Sequence, residues 1–243
     1  MKRVLLTVSY DGTNYHGWQF QPNALTVQQV FNEALEKLLG VPTDITGCSR
    51  TDTGVHAREF ACHLDCDDNI PKEAFLKGLN AILPDDIAVN DCREVSNDFH
   101  ARYSISGKRY VYGMYTGVKN PFDERYFLHL SSEPDVDLMN EFAKTVVGEH
   151  NFCGFSSSGR STQNTVRTVK ECFVAKKDNK ICFNITAKGF LYNMVRILAG
   201  TALAVGYGKR PVDISKQVFS ERDRSLAGDT LPPNGLFLDK IFY

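Results

Sequence analysis

The stretch Gly47-Cys48-Ser49-Arg50-Thr51-Asp52-Thr53-Gly54-Val55-His56-Ala57-Arg58 concentrates small, polar and charged residues between two strand-like segments. A strand lies around Ile45, a polar turn runs from Ser49 to Gly54, and an alternating strand continues through Cys62. Loops at strand ends are where a fold can present a carboxylate to a cleft. Asp52 occupies such a loop, with Arg50 two residues before it and Gly54 two after. Taken alone it has two readings: an Asx-turn that caps its own loop, or a reactive carboxylate. His56 and the flanking arginines, each taken alone, read as surface hydrogen-bonders.

Outward from this stretch the pattern is mixed. Residues 3–10 alternate as a strand. Residues 26–40 predict a helix: Thr26 and Gln29 form a T-x-x-Q capping box, and Gly40 stands at the C-terminal cap. Val27, Val30, Phe31, Ala34, Leu35, Leu38 and Leu39 recur with helical period and supply its apolar face. Pro71 opens a second helix that runs to about Leu83 and is closed by Pro84-Asp85. A new block begins with the alternating Gly107–Tyr115. A helix near Val136–Val147 follows, with strands near Val166–Ala175 and Ile181–Ala187, an apolar helix from Gly189 to Gly206 and a last strand, Leu236–Phe242. Strands and helices mix in both halves, so the fold class expected is α/β (α+β): two α/β units, residues 1–104 and 105–243.

The chain has 243 residues and 42% hydrophobic content, sufficient for a real core. No apolar run approaches the roughly 20 residues that span a bilayer. The opening Met1-Lys2-Arg3 precedes a short apolar run broken by Thr7 and Ser9 and stopped by Asp11-Gly12. That reads as a strand and turn, not a signal peptide, and predicts a cytoplasmic protein. Seven cysteines are scattered without a C-x-x-C pair. Cys62 and Cys66 fall on one face of a strand about 13 Å apart, too far for a disulfide, and His63 points to the other face. All seven are read as small hydrophobes, and no metal site is expected. The net charge is −1, but its distribution is uneven. Residues 1–103 carry 9 basic and 15 acidic side chains, residues 104–243 carry 19 and 14, a balance of −6 against +5.

Several motifs stand in order along the chain: Tyr10-Asp11-Gly12-Thr13-Asn14-Tyr15-His16-Gly17-Trp18-Gln19, then Arg50-Thr51-Asp52-Thr53-Gly54-Val55-His56-Ala57, then Phe99-His100-Ala101-Arg102. Lys108-Arg109-Tyr110-Val111-Tyr112, Met194-Val195-Arg196, Asp223-Arg224 and Pro232-Pro233-Asn234-Gly235-Leu236 follow. Together they resemble the TruA-type tRNA pseudouridine synthases, whose patterns read Y-D-G-x-x-Y-x-G-W-Q, R-T-D-x-G-V-H-A, F-H-A-R and M-V-R. The anchors span residues 10 to 238, so the resemblance covers essentially the whole chain. It departs at Ser49, where many members have Gly, and at Leu231, where Ala commonly precedes the two prolines.

The resemblance implies two similar α/β units sharing a mixed, largely antiparallel sheet with the active cleft between them. It also implies a homodimer, and tRNA as partner, with uridines 38, 39 and 40 of the anticodon stem-loop as targets. The reaction detaches uracil from C1′ of its ribose, turns it and rejoins it through C5. One carboxylate suffices, with no cofactor and no metal, so the absence of a P-loop or dinucleotide fingerprint is expected. A stacked uridine must first be flipped out, at a cost of a few kcal/mol. By resemblance Asp52 is the catalytic residue, Arg50 holds the flipped arrangement and Tyr110 stacks on the extruded base. Arg196 interrupts an apolar helix, and a buried arginine is costly unless paired. The family pattern makes Asp52 its partner; the alternative is a rim arginine pointing to solvent. Tyr112 and Tyr115 are expected in the core. Three other readings stay open at this level: a non-catalytic RNA-binding protein on the same fold, a pseudouridine synthase acting on another RNA, and a glycoside hydrolase. The hydrolase would need a second carboxylate, for which Glu59 is the nearby acid.

Overall fold

The computed structural model describes residues 1–159 and 162–243. The chain divides into two compact units, Met1–Ser106 with Phe237–Tyr243, and Gly107–Leu236. The last strand therefore belongs with the first unit, not with residues 105–236 as its place in sequence suggested. The physical reason is strand pairing: β10 (Leu236–Phe242) runs parallel to β3 (His56–Cys66), with Phe237 opposite His56 and Leu238 opposite Ala57.

In the first unit β3 lies between β10 and β1 (Lys2–Tyr10), and β1 pairs on its far side with β4 (Ile87–Val95). The β1 pairings are antiparallel, and the two-residue β2 (Thr46–Gly47) adds antiparallel to β3. The sheet is thus mixed and largely antiparallel. β3 is covered on both faces, so His63 is buried along with Cys62 instead of alternating outward. Its Nδ1 accepts from the Ala101 backbone N–H at 3.2 Å.

Helix α1 (Val27–Leu39) has the expected ends. Thr26 accepts from the Gln29 N–H at 3.3 Å, while the Gln29 amide turns along the helix to Glu33. Gly40 takes the left-handed conformation at φ 73°. Val27, Phe31, Ala34 and Leu35 are buried; Val30, Leu38 and Leu39 are only half-buried, so the apolar stripe is narrower than the sequence pattern. The second helix differs in kind. Ala74–Leu79 is π-helical and only Asn80–Ile82, α2, returns to the α form. The Asn80 amide bonds the Leu76 carbonyl and exchanges two hydrogen bonds with the Val89 backbone of β4, anchoring the wide turn to the sheet.

The second unit holds the antiparallel order β5 (Gly107–Tyr115), β9 (Lys180–Ala187), β8 (Val166–Lys177), β7 (Gly148–Asn151), with β6 (Leu128–His129) parallel beside β5. β8 and β9 form a hairpin whose turn uses Asp178 at φ 54°. Helices α3 (Val136–Thr145), α4 (Met194–Gly206) and α5 (Ile214–Glu221) complete the unit. α4 buries nearly its whole length, as its apolar sequence requires. It starts at Met194, not Gly189, because Asn193 is left-handed at φ 59°. Both units are mixed α/β with a mixed sheet, the expected fold class.

Candidate active site

The Asp52 loop is pinned at both ends. β2 delivers the chain at Gly47, and the Cys48 N–H then donates to the Ala61 carbonyl at 2.8 Å while the Ala61 N–H reaches the Cys48 sulfur at 3.3 Å. Beyond Asp52 the Val55 N–H donates to the Asp52 carbonyl at 3.1 Å, closing a tight turn before β3 starts at His56. Asp52 itself is half-buried, Thr51 is buried, and Arg50 is exposed beside them.

The segment Tyr10–Trp18 runs against this loop. The Tyr10 hydroxyl lies 2.8 Å from the Thr51 hydroxyl, and the Trp18 N–H donates to the Thr51 carbonyl at 3.2 Å. On the other side of Asp52, the Gly54 N–H donates to the Tyr15 carbonyl at 3.2 Å and the Gly12 N–H to His56 Nδ1 at 3.0 Å. Tyr10, Trp18 and Phe60 form the floor below, with Trp18 stacked on Phe60 at 3.9 Å between ring centroids. Gly17 has φ +83°, and a Cβ there would stand 2.4 Å from the Thr51 carbonyl oxygen. Only glycine meets both demands. Tyr15 donates to Asp86 at 2.6 Å; burial and that carboxylate push its phenol well above the ordinary tyrosine range.

His56 is not a surface hydrogen-bonder. It is 1% exposed, stacks on Phe237 at 4.7 Å and has Asp11 Oδ1 3.0 Å from its Nδ1. Arg58 lies over the other ring contact, 4.5 Å from the Phe237 centroid, and bonds Asp239 at 2.9 Å. Glu59 accepts from the Ile241 N–H at 3.4 Å. The motif Phe99-His100-Ala101-Arg102 packs structurally: the Ala101 carbonyl accepts from Tyr243 at 2.9 Å, and Phe99 meets the Tyr243 ring edge-on. The cysteines are free thiols; Cys153 and Cys182 are half-buried and the other five buried. Burial raises the thiols of Cys62, Cys66 and Cys172, and that of Cys92 to about 11. Among the described residues no cluster of three or more His, Cys, Asp and Glu side chains is arranged to hold a metal ion.

In the second unit Tyr110 stands on β5 opposite Ile185 and is buried, with its ring edge-on to Phe190 at 5.1 Å. Tyr112 and Tyr115 are fully buried, as expected, and the Tyr112 hydroxyl donates to the Pro232 carbonyl at 2.8 Å. Burial raises the Tyr112 phenol, opposed in part by the Arg196 charge. Arg196 on α4 is half-buried, not a solvent-facing rim residue. Its Nε donates to the Leu231 carbonyl at 2.6 Å and its Nη1 to Asn193 Oδ1 at 2.9 Å. The guanidinium thus grips the backbone of Leu231, which is indifferent to which apolar side chain that position carries. Asn234 bonds the carbonyls of Glu124 and Phe127, fixing the Pro232–Gly235 turn.

The site residues thus fall into two sets, Arg50 and Asp52 on a buttressed loop, Tyr110 and Arg196 on a strand and helix of the second unit. A model of the family described as tRNA pseudouridine synthase matches residues 6–104 and 142–243. The chain belongs to the tRNA pseudouridine synthase family. It is 43% identical over 244 residues to tRNA pseudouridine synthase A of Clostridium kluyveri and of Thermoanaerobacter sp. strain X514, covering 100% of both chains in each case. It is 44% identical over 246 residues to the protein of that name from Ruminiclostridium cellulolyticum, again over 100% of both chains. Among solved structures, the archaeal box H/ACA sRNP Nop10-Cbf5 complex is similar at 15% identity and TM-score 0.35, covering 82% of this chain and 43% of that one. The chain is therefore an enzyme, an isomerase of uridine in tRNA. No helix among the described residues is long and apolar enough to cross a membrane.

The sequence reading missed the part played by Tyr10–Trp18. It had the motif but no reason for it; the glycine at position 17, next to a Trp in a polar stretch, was the available signal.

Proposed function

We propose that the protein isomerises uridine to pseudouridine at positions 38, 39 and 40 of the tRNA anticodon stem-loop, with Asp52 as its catalytic carboxylate. The single observation that carries this is the Asp52 loop: a half-buried carboxylate held between two sets of backbone hydrogen bonds, beside an exposed arginine. The C1′–N1 bond breaks, the uracil turns, and a C1′–C5 bond forms; C5 loses a proton and N1 gains one, so the atoms balance without any cofactor. Arg50 holds the flipped nucleotide at the mouth of the loop. Tyr110 stacks on the extruded base, and its hydroxyl moves a proton. Arg196 has the role, assigned to it by the family resemblance, of keeping Asp52 ionised and oriented, since a guanidinium favours the charged form of a carboxylate it pairs with. Two copies of the chain work as a cytoplasmic homodimer on tRNA, with no membrane and no metal involved.

The test is Asp52→Asn with unmodified tRNA, mapping pseudouridine by position in a preparation free of host enzyme. Asn keeps size and most hydrogen bonds but cannot serve as nucleophile or base at neutral pH. Phosphate contacts supply most of the affinity. Binding within a few-fold of wild type and no product at 38–40 is expected. Product formed by the variant overturns the residue assignment, and wild-type product at other positions overturns the target.

A further inference from the structure

We infer that Tyr10–Trp18 is the positioning element of the catalytic loop, and that the Tyr10 hydroxyl sets the loop through its bond to Thr51. This rests on the reading of Asp52 as the catalytic carboxylate. Four contacts support it, and they bracket Asp52. Two fall on Thr51, from the Tyr10 hydroxyl at 2.8 Å and the Trp18 N–H at 3.2 Å. Two fall after Asp52, on the Gly54 N–H at 3.2 Å from the Tyr15 carbonyl and on His56 Nδ1 at 3.0 Å from the Gly12 nitrogen. Asp52 and Thr53 are the short span between the clamped points.

Burial divides the segment the same way. Tyr10, Gly12, Tyr15, Gly17 and Trp18 are buried, whereas Thr13, Asn14 and His16 are exposed. The buried residues are therefore those that touch the loop or line its floor, with Asp11 half-buried against His56. Tyr10 and Thr51 are both almost excluded from water, at 4% and 6% exposure, so their hydroxyl pair persists and fixes the peptide that leads into Asp52.

Reactive geometry is demanding: a misplacement of about 1 Å costs on the order of a hundredfold in rate. Tyr10 is a positioning residue that acts through Thr51, so its loss should lower turnover and leave tRNA affinity in place. The experiment is a cycle of Tyr10→Phe, Thr51→Val and the double variant, read as single-turnover pseudouridine formation at saturating tRNA, with tRNA Kd and thermal unfolding measured alongside. Each single variant is expected to lose about tenfold in rate, with Kd within twofold, and the double variant to lose no more than the worse single one. Wild-type rate in Tyr10→Phe overturns the inference, as does a rate loss matched by an equal loss of affinity. Independent, multiplying losses in the double variant overturn the claim that the two hydroxyls act as one bond. Thr51→Val carries the comparison if Tyr10→Phe does not fold. Activity in Asp52→Asn would instead remove the underlying reading, and is scored separately.

Discussion

Gly17→Ala tests the clamp at its tightest point, with Gly40→Ala as the matched control. Both glycines are left-handed, at φ +83° and +73°. An L-residue in that region costs about 1–2 kcal/mol. At Gly40 nothing lies within 4 Å of an added Cβ, so the control loses that amount and nothing more. At Gly17 the same Cβ stands 2.4 Å from the Thr51 carbonyl oxygen and 3.3 Å from the Asp52 carbonyl carbon. Restoring ordinary contact requires the Thr51–Asp52 peptide to retreat by about 1 Å, which opens the Trp18–Thr51 hydrogen bond and forfeits a further 0.5–1.5 kcal/mol or so. Gly17→Ala is therefore expected to lose about 2–3 kcal/mol in urea unfolding against about 1–2 for Gly40→Ala. Its single-turnover rate should fall by about 10- to 100-fold while that of Gly40→Ala stays at wild type. A Gly17→Ala enzyme that is folded and turns over within threefold of Gly40→Ala would refute the argument. So would a rate that falls only in proportion to the folded fraction.

Arg196→Met is expected to fold, with the loss of two hydrogen bonds to Leu231 and Asn193 costing about 1–3 kcal/mol, and to lose turnover far beyond its loss of stability; turnover within twofold of wild type would remove its supporting role. Tyr110→Phe keeps the edge-on ring contact with Phe190, so tRNA binding should persist while turnover drops by orders of magnitude, and full activity would dismiss the hydroxyl's part in proton transfer. His63 is held down at about 4 by burial, then by Arg3 and His100, against an ordinary 6.5. The folded state keeps it neutral while the unfolded chain takes up its proton, so its contribution is whole above pH 6.5 and disappears as pH falls towards 4. That contribution is at most about 3 kcal/mol. His63→Asn leaves an acceptor for the Ala101 N–H, and should flatten the fall in urea midpoint between pH 7 and pH 4.5; an unchanged fall would refute the assignment.

Where local chemistry decides an element, the sequence discloses it. Thr26 and Gly40 bound α1 because capping depends only on nearby residues. β4 escaped the reading because Asn90, Asp91, Arg93 and Glu94 break its alternation. They do so because β4 pairs only with β1 and so ends the first unit's sheet among the described residues, where charge is tolerated and discourages further pairing. The π-helical Ala74–Leu79 has an ordinary helical composition; what marks it is Asn80 reaching β4, a contact nine residues away that no period reveals. The placement of β10 in the first unit is beyond local sequence altogether, since an alternating strand says nothing about its partner.

The site obeys the same division. Arg50 and Asp52 are legible because they share one turn, and Arg196 because a charge amid Val195, Ile197 and Leu198 demands acceptors. The acceptors could not be read, because one is the backbone of Leu231, thirty-five residues on, and the other belongs to the left-handed Asn193 that starts the helix. Backbone acceptors leave no mark on side-chain identity at their own position. They do constrain the donor, which must present a planar fork to two oxygens at once, a geometry that lysine lacks. The same logic covers Tyr10–Trp18: two of its four targets, the Thr51 carbonyl and the Gly54 N–H, are backbone groups, invisible in the loop's own sequence. The demand is instead written on the segment that meets them, as two glycines for close approach, a tyrosine hydroxyl and a tryptophan floor. A motif distant in sequence from the Asp52 loop can thus answer to it, because what its residues meet is largely that loop's backbone.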